Sequence, residues 1–474
     1  MQAHKYIQPL LFVIAILSVM VIYILSLNHQ FFWDTIQLGS LHATHFYQNN
    51  FADWLLPNRI DSGHIPAFGW YIAFWWKLFD RSLLTSHLAM LPFVVGILWQ
   101  SHVLVKHFFQ EVNPGIVYFL LVLDTALLSQ MSLVSPDVPL VFFFLIAFNA
   151  ILSNKKIVLA CAIFLLFLTS MRGMMVSLLL LFIDVALHIQ RDRGFKKIRV
   201  QLFNRSLIYL PALLLFLVFN YYHFKQTGWV GFHSDSPWAS SFKTVGVTGI
   251  LRNVVIYIWR LLDFGRVLGC ILFVASSILL FKKIKSDYHG RILLISALIF
   301  LFLFPLNLIW ASGLIGHRYV LPVNILITLS TAYFINLAGI KRQLKNLIFG
   351  VWAIVLISGN FWVYPDLIAQ GWDSSLAHWP YYSLQKKSLD FLEDQKIEFS
   401  QVETFFPSHG YQDDFFLDGD LRLIDGFEGN KGYVIYSNIN NITDEQYALL
   451  HSEAYTLMQT YKSSGIFVKI FRKQ

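Results

Sequence analysis

Charge and sulfur are both scarce in this chain. Only 14% of its 474 residues are Asp, Glu, Lys or Arg, against roughly one quarter in a soluble domain. A soluble core of ordinary size is therefore excluded for most of the length. The two cysteines, Cys161 and Cys270, each lie inside an apolar block. They imply neither a disulfide framework nor a thiol metal site, and read as small residues of a membrane core. No internal repeat and no low-complexity segment interrupts the chain. No small-x-small cleavage site precedes Asn28, and the run Leu10–Leu27 is long for a secretory leader. Met1–Leu27 therefore reads as an uncleaved first membrane helix with a cytoplasmic N-terminus.

Apolar residues are abundant instead: 56% of the chain is hydrophobic and 17% aromatic, with mean hydropathy +0.56. Apolar blocks recur from residue 9 to residue 364 and read as membrane helices. The net charge of +8 sits mostly in short connectors: Lys155-Lys156, Arg191 to Arg199, Lys282 to Lys285 and Lys341 to Lys345. That pattern orients a membrane protein by its cytoplasmic loops, and it argues against a nucleic-acid partner. Consistent parity requires that blocks 66–79 and 250–264 not cross fully; the first is shorter than the ~20 residues a span needs. The expectation is a polytopic α-helical membrane protein of about 11–13 helices, eleven of them full crossings. Its acidic loops and everything after Tyr364 lie outside.

From Pro365 the composition turns polar. Lys386–Gln395 has helical periodicity, and Thr443-Asp444-Glu445-Gln446 has the form of a capping box. Val402–Phe406, Gly432–Ser437 and Ile466–Phe471 read as strands. Residues 365–474 are thus expected to form a small extracytoplasmic α/β domain behind a transmembrane domain spanning 1–364.

The first loop, 28–65, concentrates Asp34, Asp53, Asp61, Arg59 and four histidines among aromatic residues. Such a stretch reads as amphipathic and interfacial, and its carboxylates are functional candidates. Asp34, just past the first span, is placed to act as a general base toward an acceptor hydroxyl or amine; the structural alternative is a helix cap. Asp53 and Asp61 read as loop and cap residues. His42 and His45, three apart, permit a divalent metal but also read as wet interfacial histidines. Asp137 in SPDVPLVFFF is either a helix-start carboxylate favoured by the dipole or a second acid facing Asp34. Arg172 in TSMRGMM, and Arg318 with Tyr319 in GHRYVLP, stand at outer span ends. There they suit a lipid phosphate or snorkel to headgroups. Arg59 and His64 are further phosphate contacts in the first loop. Asp124, mid-span in LLVLDTALL, is assigned no role.

Taken in order, WDTIQL, FADWLLPN, GHIPAFGWYIAFWWKLFD, SPDVPLVFFF, TSMRG and HRYVLP resemble the GT-C glycosyltransferases of the protein O-mannosyltransferase and aminoarabinose-transferase type, families 39 and 83, over residues 1–340. The resemblance implies that Asp34 is the catalytic base and Asp137 a second active-site carboxylate. It implies a polyprenyl-phosphate sugar donor, undecaprenyl phosphate in bacteria, and inversion at the anomeric carbon. No cofactor is required, although a divalent metal is compatible. The sequence departs from the pattern where Thr35 follows Asp34, where His64 precedes Pro66, and at Arg172-Gly173. The resulting expectation is a glycosyltransferase of the bacterial inner membrane, embedded in membrane lipids. It would transfer a sugar to a lipid, glycan or protein acceptor outside the cytoplasm. The alternatives are a polytopic transporter or flippase of a lipid-linked or amphipathic substrate, and a membrane-anchored assembly protein.

Overall fold

The computed structural model describes residues 2–109, 114–191, 195–236, 238–366 and 368–474. Seven helices among these are long and apolar enough to cross a membrane, from Ile7–Ser26 to Arg342–Phe361. Two bent pairs raise the number to nine if each counts as one span: Pro114–Val122 with Thr125–Met131, at 61°, and Val247–Leu262 with Val267–Leu279, at 100°. This is fewer than the eleven to thirteen expected. The reason is length: Asp137–Leu152 and Lys156–Thr169 are apolar but have only 16 and 14 residues. The first of these is mostly enclosed by neighbouring helices. The block at 66–79 forms only Ala67–Leu78, too short to span, and 250–264 belongs to the sharply bent pair. Part of the basic cluster Arg191 to Arg199 lies outside the described residues.

Helix starts follow local chemistry. Ser82 accepts the Thr85 N–H at 3.2 Å to open Leu83–Phe108, and Asp287 accepts the Gly290 N–H at 2.6 Å to open Tyr288–Leu303. Asp124 is not mid-helix. Its side chain accepts the Leu127 N–H at 3.1 Å, capping Thr125–Met131 at the break in the apolar block.

After Arg342–Phe361 the chain folds back over the end of the bundle through short 3-10 turns, Trp372–Ser374 and Leu376–His378. Helix Pro380–Asp394 follows, then six strands: β1 Val402–Thr404, β2 Gly410–Tyr411, β3 Leu423–Gly426, β4 Tyr433–Ser437, β5 Tyr455–Ser463 and β6 Ile466–Lys473. Their order is β2-β3-β1-β4-β6-β5. β1 runs parallel to β3 and β4, whereas β6 pairs antiparallel with β4 and β5. Three expected strands and the Thr443 capping box are present. β5 was not expected, because Thr456, Gln459, Thr460 and Lys462 interrupt both of its faces and a bulge between Leu457 and Gln459 breaks the alternation.

One apolar cluster joins this domain to the bundle: Leu384, Ile435 and Ile470 of the domain pack with Phe32 and Leu133. Phe32 stacks on His378 at 4.5 Å, and the Phe31 N–H donates to the Phe415 carbonyl at 3.1 Å. Ile470 is fully buried at the centre of β6. Ile470→Ala is expected to cost about 2–5 kcal/mol, measured as lowered protection of β4 and β6 amides in hydrogen exchange of the full-length protein.

Candidate functional site

The sequence leaves the first span with a kink. Trp33 holds φ +58°, a left-handed conformation uncommon for a bulky residue, and it turns Asp34 away from the line of the first helix. A π-helical turn, Ile36–Leu41, follows directly; such turns recur at functional sites. Gly39 lets this segment approach the Ser135–Asp137 turn: a Cβ there would stand 2.9 Å from the Phe31 ring and 3.3 Å from the Val134 carbonyl. Gly173 does the same for Arg172, since its Cβ would meet the Leu166 carbonyl at 2.0 Å. The TSMRG turn is therefore pressed against the preceding helix.

Arg318, 6% exposed, is the meeting point. Its guanidinium pairs with Asp34 and Asp373, and its Nε lies 3.1 Å from Asp137 Oδ2. Asp137 also pairs with Arg172. Arg172 lies over the Tyr319 ring, 4.0 Å from its centre, a cation–π arrangement. Five of the seven sequence candidates thus converge: Asp34, Asp137, Arg172, Arg318 and Tyr319. Asp137 begins a helix and shares Arg318 with Asp34, but it does not line the adjoining cavity.

Beside this constellation opens an apolar cavity lined by Asp34, His64, Arg172, Tyr319, Trp238 and Trp310, among others. Asp34 and Arg172 keep 19% and 13% of their side chains exposed. Arg318 does not line it. Arg318 was expected to contact a lipid phosphate, but its guanidinium is enclosed by ion pairs with three carboxylates, and Arg172 is the cation that faces the opening. Arg59 is also displaced from its expected place. It is exposed on the loop, outside the cavity, with its charge felt by Asp414 of the C-terminal domain.

His64 reaches the cavity because the loop before it is strapped down. Asp61 is buried; its Oδ2 lies 2.9 Å from His223 Nε2 and its Oδ1 accepts the Gly63 N–H at 2.7 Å. Gly63, at φ +73°, tolerates no side chain, because its Cβ would fall 1.6 Å from the Gly231 carbonyl. Burial pulls the His64 pKa down to about 4, against the opposing charge of Asp61, so the ring is neutral at pH 7. His42 is buried against the Ile60 carbonyl at 2.7 Å, while His45 lies nearer the surface beside Asn49. Among the described residues no three His, Cys, Asp or Glu side chains are grouped to hold a metal ion.

Several site groups had no sequence signal. Asp373, 339 positions beyond Asp34 in the chain, is held by Gln130 Nε2 at 2.7 Å and Ser129 Oγ at 2.9 Å on its carbonyl. Beneath the site, Arg266 makes a bidentate pair with Asp124 at 2.8 and 2.5 Å. His317, next to Arg318, lies 2.5 Å from Asp263, which also accepts the Tyr364 hydroxyl. Gly371 is the one local clue, since its Cβ would stand 2.3 Å from His317 Nδ1.

No protein-family model matches the chain, and no curated protein matches it. Two solved structures are similar over almost the whole length. ArnT from Cupriavidus metallidurans bound to undecaprenyl phosphate has TM-score 0.48 and 13% identity, covering 97% of this chain and 97% of its own. The apo state of the same protein has TM-score 0.48 and 12% identity, covering 99% and 98%.

Two outcomes follow from this geometry. Arg318→Ala strands the buried Asp373 and removes one partner each from Asp34 and Asp137, and is expected to cost on the order of 3–5 kcal/mol, whereas Asp373→Asn costs less; thermal unfolding of purified protein ranks them. His64 titrates near 4 when folded and near 6.5 when unfolded. The unfolded state therefore binds the proton first, and stability falls as pH drops from about 6.5 to about 4. His64→Gln should make that part of the pH–stability profile shallower by one residue's share, since His29 and His42 are lowered to about 4 as well.

Proposed function

We propose that this protein is an integral-membrane glycosyltransferase that moves a sugar from a polyprenyl-phosphate donor to an extracytoplasmic acceptor. The observation that carries the reading is one apolar cavity lined by both a carboxylate, Asp34, and a guanidinium, Arg172, the latter lying over the Tyr319 ring. The apolar, tryptophan-bearing walls suit contact with an apolar tail, and a phosphate at its end would meet Arg172, with neutral His64 beside it as a hydrogen-bond partner.

In the proposed reaction Asp34 takes the proton from the acceptor hydroxyl or amine as that atom bonds to the anomeric carbon. The bond from the anomeric carbon to the phosphate oxygen breaks, and its electron pair leaves with the lipid phosphate. Arg172 stabilises the charge growing there. Base and leaving group lie on different sides of the sugar, which gives inversion. Asp137 shares Arg172 and Arg318 and sets the direction of both guanidinium groups. The proposed donor lipid is of the undecaprenyl class, and the N-terminus is placed in the cytoplasm, with the sheet domain outside, from the basic connectors.

The second reading, a transporter or flippase, draws on the two bent helix pairs and the Asp124–Arg266 pair, in which Arg266 at the second break meets Asp124 at the first. The first break adjoins the floor of the site: Ser129 and Gln130, in the helix it opens, hold Asp373.

Reconstituted protein supplied with a polyprenyl-phosphate sugar separates the two. Asp34→Asn should lower sugar transfer by roughly 10²–10⁴-fold, and Arg172→Ala should weaken use of the donor more than use of the acceptor. Wild-type transfer by Asp34→Asn, or translocation of intact donor without sugar release, would remove the assignment.

A further inference from the structure

A second cleft, of about 660 Å³, opens at the carboxyl ends of β1 and β3. Its volume lies within the roughly 300–1,000 Å³ of small-molecule sites. β1 sits between β3 and β4 and is parallel to both, so the chain passes to one side of β1 and then returns on the other. A crevice at such a reversal of strand order is where open sheets hold ligands.

The rim is held from below. Glu403, 1% exposed on β1, accepts the Gly429 N–H at 2.9 Å and the Asn430 N–H at 3.2 Å. Both carboxylate oxygens thereby fix the loop after β3 over the strand ends. Gly429 turns there at φ +75°. On that loop Lys431 pairs with Asp425, and Asn430 Nδ2 donates to Glu428 Oε2 at 3.2 Å. Phe405 and Phe427 pack at 4.7 Å between ring centres, and Phe406 completes an aromatic wall.

Rings beside planar carboxylates and amides match one ligand chemistry well. A saccharide offers an apolar C–H face to a ring, and adjacent hydroxyl pairs to Asp, Glu and Asn side chains. Three carboxylates, Glu403, Asp425 and Glu428, stand against one ammonium, Lys431, which disfavours an anionic sugar. Phe406 also ties the cleft to the bundle: its ring lies 5.3 Å edge-on from Trp33, the residue before Asp34.

We propose that this cleft binds a neutral saccharide and, resting on the transfer reaction above, that it holds a sugar of a glycan-bearing acceptor whose reactive hydroxyl extends past Trp33 to Asp34. Calorimetric titration of full-length protein in detergent micelles with maltotriose, chitotriose and trigalacturonate tests it. The expected result is saturable binding of at least one neutral trisaccharide and none of trigalacturonate. That binding persists in Asp34→Asn and weakens roughly five- to tenfold in both Phe427→Ala and the exposed-site variant Glu428→Gln. Absence of saturable binding of both neutral sugars, unchanged binding in Glu428→Gln, or preference for trigalacturonate overturns the proposal. Saccharide binding alongside undiminished transfer by Asp34→Asn would remove the assigned base and keep the cleft. Lost transfer by Asp34→Asn without any saccharide binding would do the reverse.

Discussion

A single buried guanidinium facing three carboxylates is the constraint on which the site depends. Taking an ion out of water costs several kcal/mol, so each member must have a partner. Arg318 has enough donors to serve Asp34, Asp137 and Asp373 together. Those acids come from the end of the first span, the start of a short helix and the return segment after the last span. Their common cation therefore fixes how three distant parts of the chain meet. Arg172 brings a second positive charge to Asp137 and leaves the constellation one negative charge in excess.

Burial divides the labour within this group. Arg318 and Asp137 are enclosed, and they hold geometry. Asp34 and Arg172 retain exposure toward the cavity, and they are available to a substrate. Below them lie further closed pairs, Asp124 with Arg266 and Asp263 with His317. The bends in the two helix pairs occur beside these charges, where broken backbone and polar side chains satisfy one another inside protein. Such a floor limits rearrangement of Asp34 and Arg172, which is the electrostatic preorganisation the proposed reaction requires.

The C-terminal domain is attached to the site through the same residues that set it. Phe31, Phe32 and Trp33 dock on Phe415, His378 and Phe406 in turn, and Arg81 pairs with Asp413 at 2.8 Å. The three aromatics that turn the chain into Asp34 are thus the bearing of the domain above it.

Several features were legible in the residues alone. Long apolar blocks separated by basic connectors demand membrane helices, because only apolar side chains with internally bonded backbone are stable in hydrocarbon. Isolated charges such as Asp34, Asp137, Arg172 and Arg318 stood out against that background for the same reason. Strands β1, β4 and β6 and the Thr443 cap followed from local period and capping chemistry. The tertiary structure alone decided who pairs with whom. Arg318 is 284 positions from Asp34 and 55 from Asp373, and composition carries no distance across such separations. It also decided that Arg59 faces away, that Asp124 caps a broken helix, and that apolar helices of 14 and 16 residues pack without the length of a span. Desolvation marks a charge as important, but only the packed fold supplies its partner.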